Sequence, residues 1–387
     1  MPSTLVSPPA STPAGLPAEP PSAHRRPPNE PARPGERSLA LDAYRGLIMF
    51  LLVSHGFGFS AWKKHPVGKY FAMQVDHVAW EGLVLWDLIQ PAFMFMVGVA
   101  MPFAFAKRQA EGESLATGLW HVLRRCATLI FLSQLFVAVQ SRPGEFRFGL
   151  INVLSQIAFA YLICYLLMRL DWRNQVAAAA GLLGAHWMLF LLYPGPDGPF
   201  SQTGNVGQAI DHWLLGRNYT GLYVTINFLS SSVTTLFGVW AGMLMRQSRP
   251  LAEKLRILLW WACGCLIGGM LLATVNPMVK RIWTASFTIY SAGFVLLGLA
   301  AMIWLVDGRG WRRGVWPLAV VGTNSIFIYC LSQLARGGVT RAVEVFSYNG
   351  FAWLGPMAGP VARDCAILGV MWWMCWWLYK RQIFIKV

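Results

Sequence analysis

Apolar segments about 20 residues long recur along this 387-residue chain, and they constrain its fold more than any other feature. A helix needs about 20 mainly apolar residues to cross the hydrocarbon core of a bilayer. None of the segments shows the short alternating pattern of a membrane-spanning strand. The pattern therefore predicts an all-α polytopic membrane helix bundle of about ten transmembrane helices. The ten segments are 39–61, 83–106, 119–140, 150–169, 174–193, 223–245, 255–276, 283–306, 316–335 and 360–379.

The first 37 residues differ in composition from everything that follows. They contain eleven of the 23 prolines and no apolar run. A segment of this kind cannot bury enough apolar surface to offset the entropy of ordering. We therefore expect a disordered Pro-rich cytoplasmic tail at 1–37, followed by one membrane domain at 38–387.

Charged residues are few, and most of them are basic. The chain has 32 Lys and Arg against 17 Asp and Glu, and only 13% of its residues are charged. Soluble proteins carry about 25% charged residues, so this chain is too poor in charge for a nucleic-acid groove. With the N-terminus inside, 20 basic residues fall on the cytoplasmic side, 11 on the outer side, and Arg45 within the first helix. This bias predicts that both termini are cytoplasmic.

Ionisable residues near the second apolar segment are candidates for a functional site, because charge is expensive inside a membrane. If residues 77–87 are helical, Glu81 lies one turn beyond His77 on the same face. A carboxylate beside an imidazole raises the basicity that a general base needs. On spacing alone, however, a solvated histidine at the membrane surface is the simpler interpretation. Asp87 is either part of the same site or a packing partner for a polar group on another helix.

Basic residues at the predicted cytoplasmic end have two interpretations. Arg124 and Arg125 are explained by the positive-inside bias alone, and Arg45 can form an ion pair with Asp42 three residues earlier. Alternatively, these arginines clamp the phosphates of a cytosolic donor, because a guanidinium binds phosphate through two hydrogen bonds. The seven cysteines lie in apolar runs without metal-ligand spacing, so no metal is expected.

Four segments resemble a known family, the heparan-α-glucosaminide N-acetyltransferase group of membrane acyltransferases. The similarity extends over about 37–335, and the second of the four segments is the most specific. Two stretches depart from the family pattern, at 148–161, where Ser155 and Gln156 replace a Gln-Arg pair, and at 218–227. The four similar segments are RSLALDAYRG (37–46), HVAWEGLVLWDLIQPAFMFMVGVA (77–100), KRIWTASFTIYSAGFVLLGLAAMIWLVD (280–307) and GTNSIFIY (322–329).

The resemblance implies a function and a site. It implies that an acyl group, in the first instance acetyl, passes from cytosolic acyl-CoA to an amino sugar or another sugar or glycan on the outer side. The family's catalytic histidine matches His77, which would act as a base or carry the acyl group briefly. Glu81 or Asp87 would orient the imidazole. The donor's phosphates would lie near Arg45, Arg124 and Arg125, and its path would be lined by Trp80, Trp283, Ser286 and Asn324.

The expected partners are acyl-CoA, a sugar or glycan acceptor and the lipid bilayer, without nucleic acid, and a homo-oligomer stays open. The expected location is a bacterial cytoplasmic membrane. A transporter, or a lipid- or glycan-binding membrane protein on the same scaffold, is the alternative function. In that case Asp87 and the pair of His77 and Glu81 would relay protons or line a substrate pocket.

Overall fold

The computed structural model describes residues 38–219, 221–347 and 350–385, so the predicted tail at 1–37 lies outside the described residues. Within these ranges the chain is helical, and its extended pairing is limited to two isolated bridges. Short 3₁₀ or π segments extend or join several of the helices. The helices are α1 (Leu39–Ser54), α2 (Gly68–Gln74), α3 (Ile89–Ala110), α4 (Leu115–Gln140), α5 (Val153–Leu167), α6 (Trp172–Leu192), α7 (Val206–Leu215), α8 (Phe228–Arg246), α9 (Leu251–Leu272), α10 (Ala285–Ile303), α11 (Arg312–Thr323), α12 (Ser325–Leu334), α13 (Arg336–Phe346) and α14 (Gly355–Lys380).

Seven helical segments of the described chain are long and apolar enough to cross a membrane. They contain α1, α3, α4, α6, α8, α9 and α10, and the pair α11 and α12, bent by 66°, is an eighth if it counts as one span. The prediction of an all-α polytopic bundle is confirmed. Each of the ten predicted segments corresponds to a helix or a bent helix pair, but two fall short of a span by length and composition. Helix α5 has only 15 residues, and the 26-residue α14 contains a charged pair and four tryptophans.

The connections between the helices are grouped as the basic-residue bias predicts. Connections assigned to the outer side contact one another, which is possible only if they lie at the same end of the bundle. Three hydrogen bonds show this: Gly82 N to Met278 O at 2.9 Å, Trp80 Nε1 to Phe200 O at 3.1 Å, and Arg217 Nη2 to Phe148 O at 2.9 Å. That this end is the outer one, and that both termini are cytoplasmic, stay predictions.

Glycine residues let helices approach closely at the contact of α3 with α8 and at that of α1 with α11, which we call glycine seams. A Cβ atom on Gly98 of α3 would lie 1.9 Å from the Thr235 carbonyl oxygen of α8, and one on Gly46 of α1 would lie 1.7 Å from the Leu318 oxygen of α11. Small residues let membrane helices approach closely, and close packing replaces the hydrophobic driving force that is absent between lipid-embedded helices. The seam between α3 and α8 therefore fixes α3, which directly follows the turn that carries Asp87.

A second, smaller core covers the end of the bundle where the long connections meet. It contains Val206 of α7, Val224 and Val279 from two connections, and Trp80 packs against its edge. This core ties the chain around Trp80 to the connection between α9 and α10. The connections therefore form a folded cap.

Candidate active site

The segment from His77 to Val84 is irregular, so the helix over 77–87 that would place Glu81 one turn from His77 does not form. Glu81 instead forms an isolated antiparallel bridge with Val279, and Gly82 turns the chain with a φ of 114°. Glycine tolerates this left-handed conformation because it has no Cβ atom. With its backbone bonded across to another connection, the segment cannot form helical hydrogen bonds. Glu81 is therefore not placed one helical turn from His77.

A 3₁₀ turn at Leu85–Leu88 brings Asp87 back to His77 before α3 begins. The Nδ1 atom of His77 lies 2.7 Å from Oδ1 of Asp87. The other carboxylate oxygen accepts a hydrogen bond from the Val84 amide at 3.3 Å. The Asp87 side chain is only 1% exposed, whereas that of His77 is 42% exposed. The structure therefore joins a buried carboxylate to an accessible imidazole.

Lys280 completes the cluster from a distant part of the chain. Its Nζ atom lies 3.2 Å from Oδ1 of Asp87 and 3.2 Å from Nδ1 of His77, and its side chain is 6% exposed. Burial lowers the pKa of Lys280, and the carboxylate of Asp87 opposes that shift because it favours the ammonium form. The negative charge of Asp87 thus lies against two basic side chains, those of His77 and Lys280. We call these three residues the His77–Asp87–Lys280 cluster.

Lys280 owes its position to the connection between α9 and α10. Trp283, with a φ of 48°, donates its amide proton to the Lys280 carbonyl at 3.0 Å. Its indole Nε1 lies 3.3 Å from Thr234 Oγ1. Ser286 donates its hydroxyl to the Pro277 carbonyl at 3.0 Å and its amide to Asn276. The side chains of Trp283 and Ser286 are therefore bonded within the protein, where they hold the loop that carries Lys280.

A cleft of about 250 Å³ opens beside the imidazole, between α2 and the irregular segment. The Nε2 atom of His77 takes part in no hydrogen bond within the described ranges. The Nζ atom of Lys63 is bonded to Asp76 at 2.6 Å, which lowers the pKa of that carboxyl. The cleft is lined by Lys63, Lys69, Ala72, Met73, Asp76, His77, Val78 and Val84.

The other predicted site residues lie elsewhere. Asn324 is fully buried and binds the C-terminal chain, donating to the Ile383 carbonyl at 3.1 Å and accepting from the Ile385 amide at 3.0 Å. It lies two residues after Gly322, which packs against the Asp42 carbonyl near the start of α1. The irregular segment follows the other end of α1. Asn324 is therefore remote from His77.

The three arginines predicted to hold phosphate lie on two helices that pack against different neighbours. Arg45 of α1 pairs with Asp42 at 3.2 Å, and α1 packs chiefly against α11. Arg125 of α4 lies with its guanidinium 4.5 Å from the centre of the Tyr161 ring of α5, while Arg124 is exposed. The Nε atom of Arg125 is buried and has no hydrogen-bond partner among the described residues.

Lys280 is the site residue that sequence reasoning missed, since it counted only as one of the outer basic residues. A signal was present, because Lys280 opens the segment that resembles the family. Among the described residues, no group of three or more His, Cys, Asp or Glu side chains could hold a metal ion.

The chain is similar in sequence to one described protein family and to two curated proteins. Residues 37–197 match the family described as heparan-alpha-glucosaminide N-acetyltransferase, catalytic. The human and mouse proteins named heparan-alpha-glucosaminide N-acetyltransferase are each 23% identical to the chain over 358 residues. These alignments cover 76% of this chain and 52% and 53% of the respective relatives. The chain thus spans about half the length of the curated relatives it matches.

The match at 37–197 contains both His77 and Asp87, and the longer alignments cover three quarters of the chain. The membrane-length apolar helices indicate a multi-pass membrane protein. Its sequence is similar to the heparan-alpha-glucosaminide N-acetyltransferase family, most clearly over residues 37–197.

Proposed function

We propose that this protein is a membrane acetyltransferase that moves the acetyl group of acetyl-CoA to a sugar acceptor at the end of the bundle that carries His77. One observation carries the proposal: a buried carboxylate holds one nitrogen of an accessible imidazole, while the other nitrogen is unpartnered beside a cleft. A carboxylate in this position orients the ring and stabilises the imidazolium that forms when it takes a proton. The names of the two relatives support the same reaction class.

In the proposed reaction, His77 Nε2 removes a proton from the acceptor's amine or hydroxyl as that group attacks the thioester carbonyl. A new C–N or C–O bond forms, the C–S bond breaks, and the imidazolium returns its proton to the departing CoA sulfur. Alternatively, Nε2 attacks first and carries the acetyl group before the acceptor takes it. Both routes give the acetylated sugar and free CoA. Asp87 keeps the ring in place in either case.

The acceptor is proposed to bind in the cleft beside His77, whose volume of about 250 Å³ suits a terminal sugar. The wall combines apolar side chains with two lysines. Lys63 is already paired with Asp76, so Lys69, which is exposed, is the lysine left to meet an acceptor. We therefore expect an acidic sugar, bearing a carboxylate or a sulfate, to bind better than a neutral one.

For the donor's phosphates, Arg125 is the best placed of the three predicted arginines. Its buried Nε lacks a partner among the described residues, and its guanidinium already lies over an aromatic ring. Such a group is available for a bidentate bond to phosphate. Arg124 and Arg45 stay candidates with weaker support. Trp283, Ser286 and Asn324 have the structural contacts described above, and a direct role in lining the donor's path is correspondingly less supported.

The test uses the full chain purified into lipid nanodiscs. Radiolabelled acetyl-CoA is supplied with amino sugars and with neutral and acidic oligosaccharides, and labelled product is separated by chromatography. We expect transfer by the parent protein and none by the His77→Ala variant. The matched control is His121→Ala, in the part of α4 far from the cluster. Equal transfer by the parent and the His77→Ala variant would refute the role of His77.

A transporter, or a lipid- or glycan-binding protein on the same scaffold, is the second candidate. The observation in its favour is the buried Asp87 and Lys280 pair at the end of a spanning segment, since transporters also bury ionisable groups. Thermal unfolding with and without acyl-CoA separates the two functions. A donor-binding enzyme is stabilised by its donor, whereas an unchanged midpoint with several acyl-CoAs favours transport or binding.

A further inference from the structure

Lys280 and Asp87 compete for the same nitrogen of His77. Asp87 Oδ1 lies 2.7 Å from Nδ1, and Lys280 Nζ lies 3.2 Å from it. A carboxylate only accepts hydrogen bonds, and an ammonium only donates them. Contact with Asp87 therefore requires a proton on Nδ1, whereas a bond from Lys280 requires Nδ1 to be bare.

The two arrangements have opposite consequences at Nε2. When neutral His77 carries its proton on Nδ1, Nε2 has a free lone pair, and the residue lines the cleft. When Lys280 donates to Nδ1, the proton of a neutral ring is on Nε2, which then cannot act as a base. The shorter contact with Asp87 favours the first arrangement, and Lys280 then donates to Asp87 Oδ1, at 3.2 Å.

We propose that Lys280 is a positioning residue that keeps His77 neutral and able to accept a proton at Nε2. Its ammonium neutralises part of the charge on Asp87 and repels an imidazolium 3.2 Å away, so the protonated ring is less favoured than it would be beside Asp87 alone. Solvent screens the interaction between Lys280 and Asp87 little, because both side chains are buried. The inference rests on the proposed function, since it assigns a task within that site.

Other charged or titratable groups also face His77 and belong to the same balance. The Asp76 carboxylate accepts the His77 amide at 2.9 Å, and its charge is offset by Lys63. None of these groups contacts Nδ1, which is where Lys280 acts. Besides Asp87 and Lys280, the charged or titratable residues that line the space around the ring are Lys63, Lys69, Asp76, Tyr223 and Arg281. Glu81 lies on the same segment as His77.

The test compares pH–rate profiles of acetyl transfer for the parent, Lys280→Met and Lys280→Arg. Removal of the ammonium leaves Asp87 free to stabilise the imidazolium, so activity is lost at a higher pH on the acid side. We expect that limb to move up by about one pH unit in Lys280→Met. Lys280→Arg keeps the charge and should retain the parent's limb. Lys64→Met, an exposed lysine of the preceding connection, is the control.

A second measurement does not depend on activity. Diethyl pyrocarbonate reacts with neutral imidazole, and mass spectrometry of the peptide containing His77 gives its rate of modification at each pH. We expect the midpoint of this curve to move up in Lys280→Met and not in Lys64→Met. Coincident curves for Lys280→Met and the parent would overturn the proposal, even if the variant were inactive. If the parent transfers no acetyl group, the proposed function fails, while this curve still tests Lys280.

Discussion

Asp87 and Asp211 are both buried aspartates at the same end of the bundle, yet their surroundings differ. Each is at most 1% exposed. Asp87 has two potential cations within 3.2 Å, His77 and Lys280. Asp211, on α7, accepts the backbone amide of Thr225 at 3.1 Å and has no ion pair within the described ranges. One carboxylate is compensated by groups that can change their protonation, and the other by a fixed backbone dipole.

This difference is the basis for proposing a chemical role at Asp87 and a structural one at Asp211. Burial raises the pKa of Asp211, because no neighbouring cation offsets the loss of hydration. The Thr225 contact ties α7 to the chain that leads into α8, which is a task of folding. At Asp87 the compensating groups include an accessible imidazole beside a cleft. The two carboxylates are therefore alike in burial and differ in their partners.

The largest expected effect is on activity. Asp87→Asn removes the negative charge that stabilises the imidazolium, and kcat for acetyl transfer should fall by about 10²-fold or more. Asp211→Asn, the matched control, should leave kcat within about twofold of the parent. Measurement of kcat at saturating donor and acceptor checks both. If both variants lose activity equally, the contrast between the two aspartates does not hold.

A second test concerns stability at the same pair of positions. Asp87→Asn leaves Lys280 buried without its counter-ion, and the free energy of unfolding should fall by about 3 kcal/mol. The double variant Asp87→Asn with Lys280→Met removes both charges and should recover most of that loss while staying inactive. Denaturant unfolding in detergent micelles measures the three proteins. A double variant less stable than Asp87→Asn would contradict the charge argument.

A smaller effect is expected at Lys69, whose charge lies at the wall of the cleft. Lys69→Met removes an exposed ammonium, so KM for an acidic sugar acceptor should rise about fivefold and KM for a neutral one should not change. The measurement is a KM comparison across the two acceptor classes at fixed donor concentration. Lys64→Met should change neither value. An equal rise for both classes would show that Lys69 acts through shape instead of charge.

The smallest effect is the pH dependence of stability at Asp211. A carboxyl group whose pKa is raised by folding stabilises the folded state at low pH, and this contribution is lost as pH rises through the folded-state value. Asp211→Asn removes the penalty and should stabilise the protein at pH 8 by about 1 kcal/mol or less, with no gain near pH 3. Thermal unfolding at the two pH values measures this difference. A destabilised variant at pH 8 would show that the charged form is needed.

The structure brings two of the predicted site residues, His77 and Asp87, within 2.7 Å of each other. His77 and Asp87 were predicted together, because both belong to the segment most similar to the family. The helical spacing that would join Glu81 to His77 does not occur, because Gly82 turns the chain and Glu81 pairs with Val279. Sequence reasoning also missed Lys280, which is 193 residues from Asp87 in sequence.

The arginines predicted to hold phosphate illustrate the same limit. Positive-inside counting uses the side on which a residue lies and carries no information on which helix faces another. Arg125 and Arg45 both lie near the predicted cytoplasmic ends of helices. Helix α4 packs on α5, whereas α1 packs on α11, so the two arginines lie at different helix–helix contacts. The pair of Arg45 with Asp42 follows from their spacing within one helix, whereas the position of Arg125 over Tyr161 depends on the packing of the helices.

The sequence by itself determined that this chain is a helical membrane bundle, because a bilayer requires long apolar segments that satisfy their own backbone hydrogen bonds. The same local rule located the connections and the side on which each one lies relative to the others. Tertiary structure alone decided which charges meet at the candidate site. The contacts of Asp87 with His77 and Lys280 require distances of about 3 Å. Those distances depend on the turn at Gly82, the loop bonded through Trp283 and the glycine contact between α3 and α8.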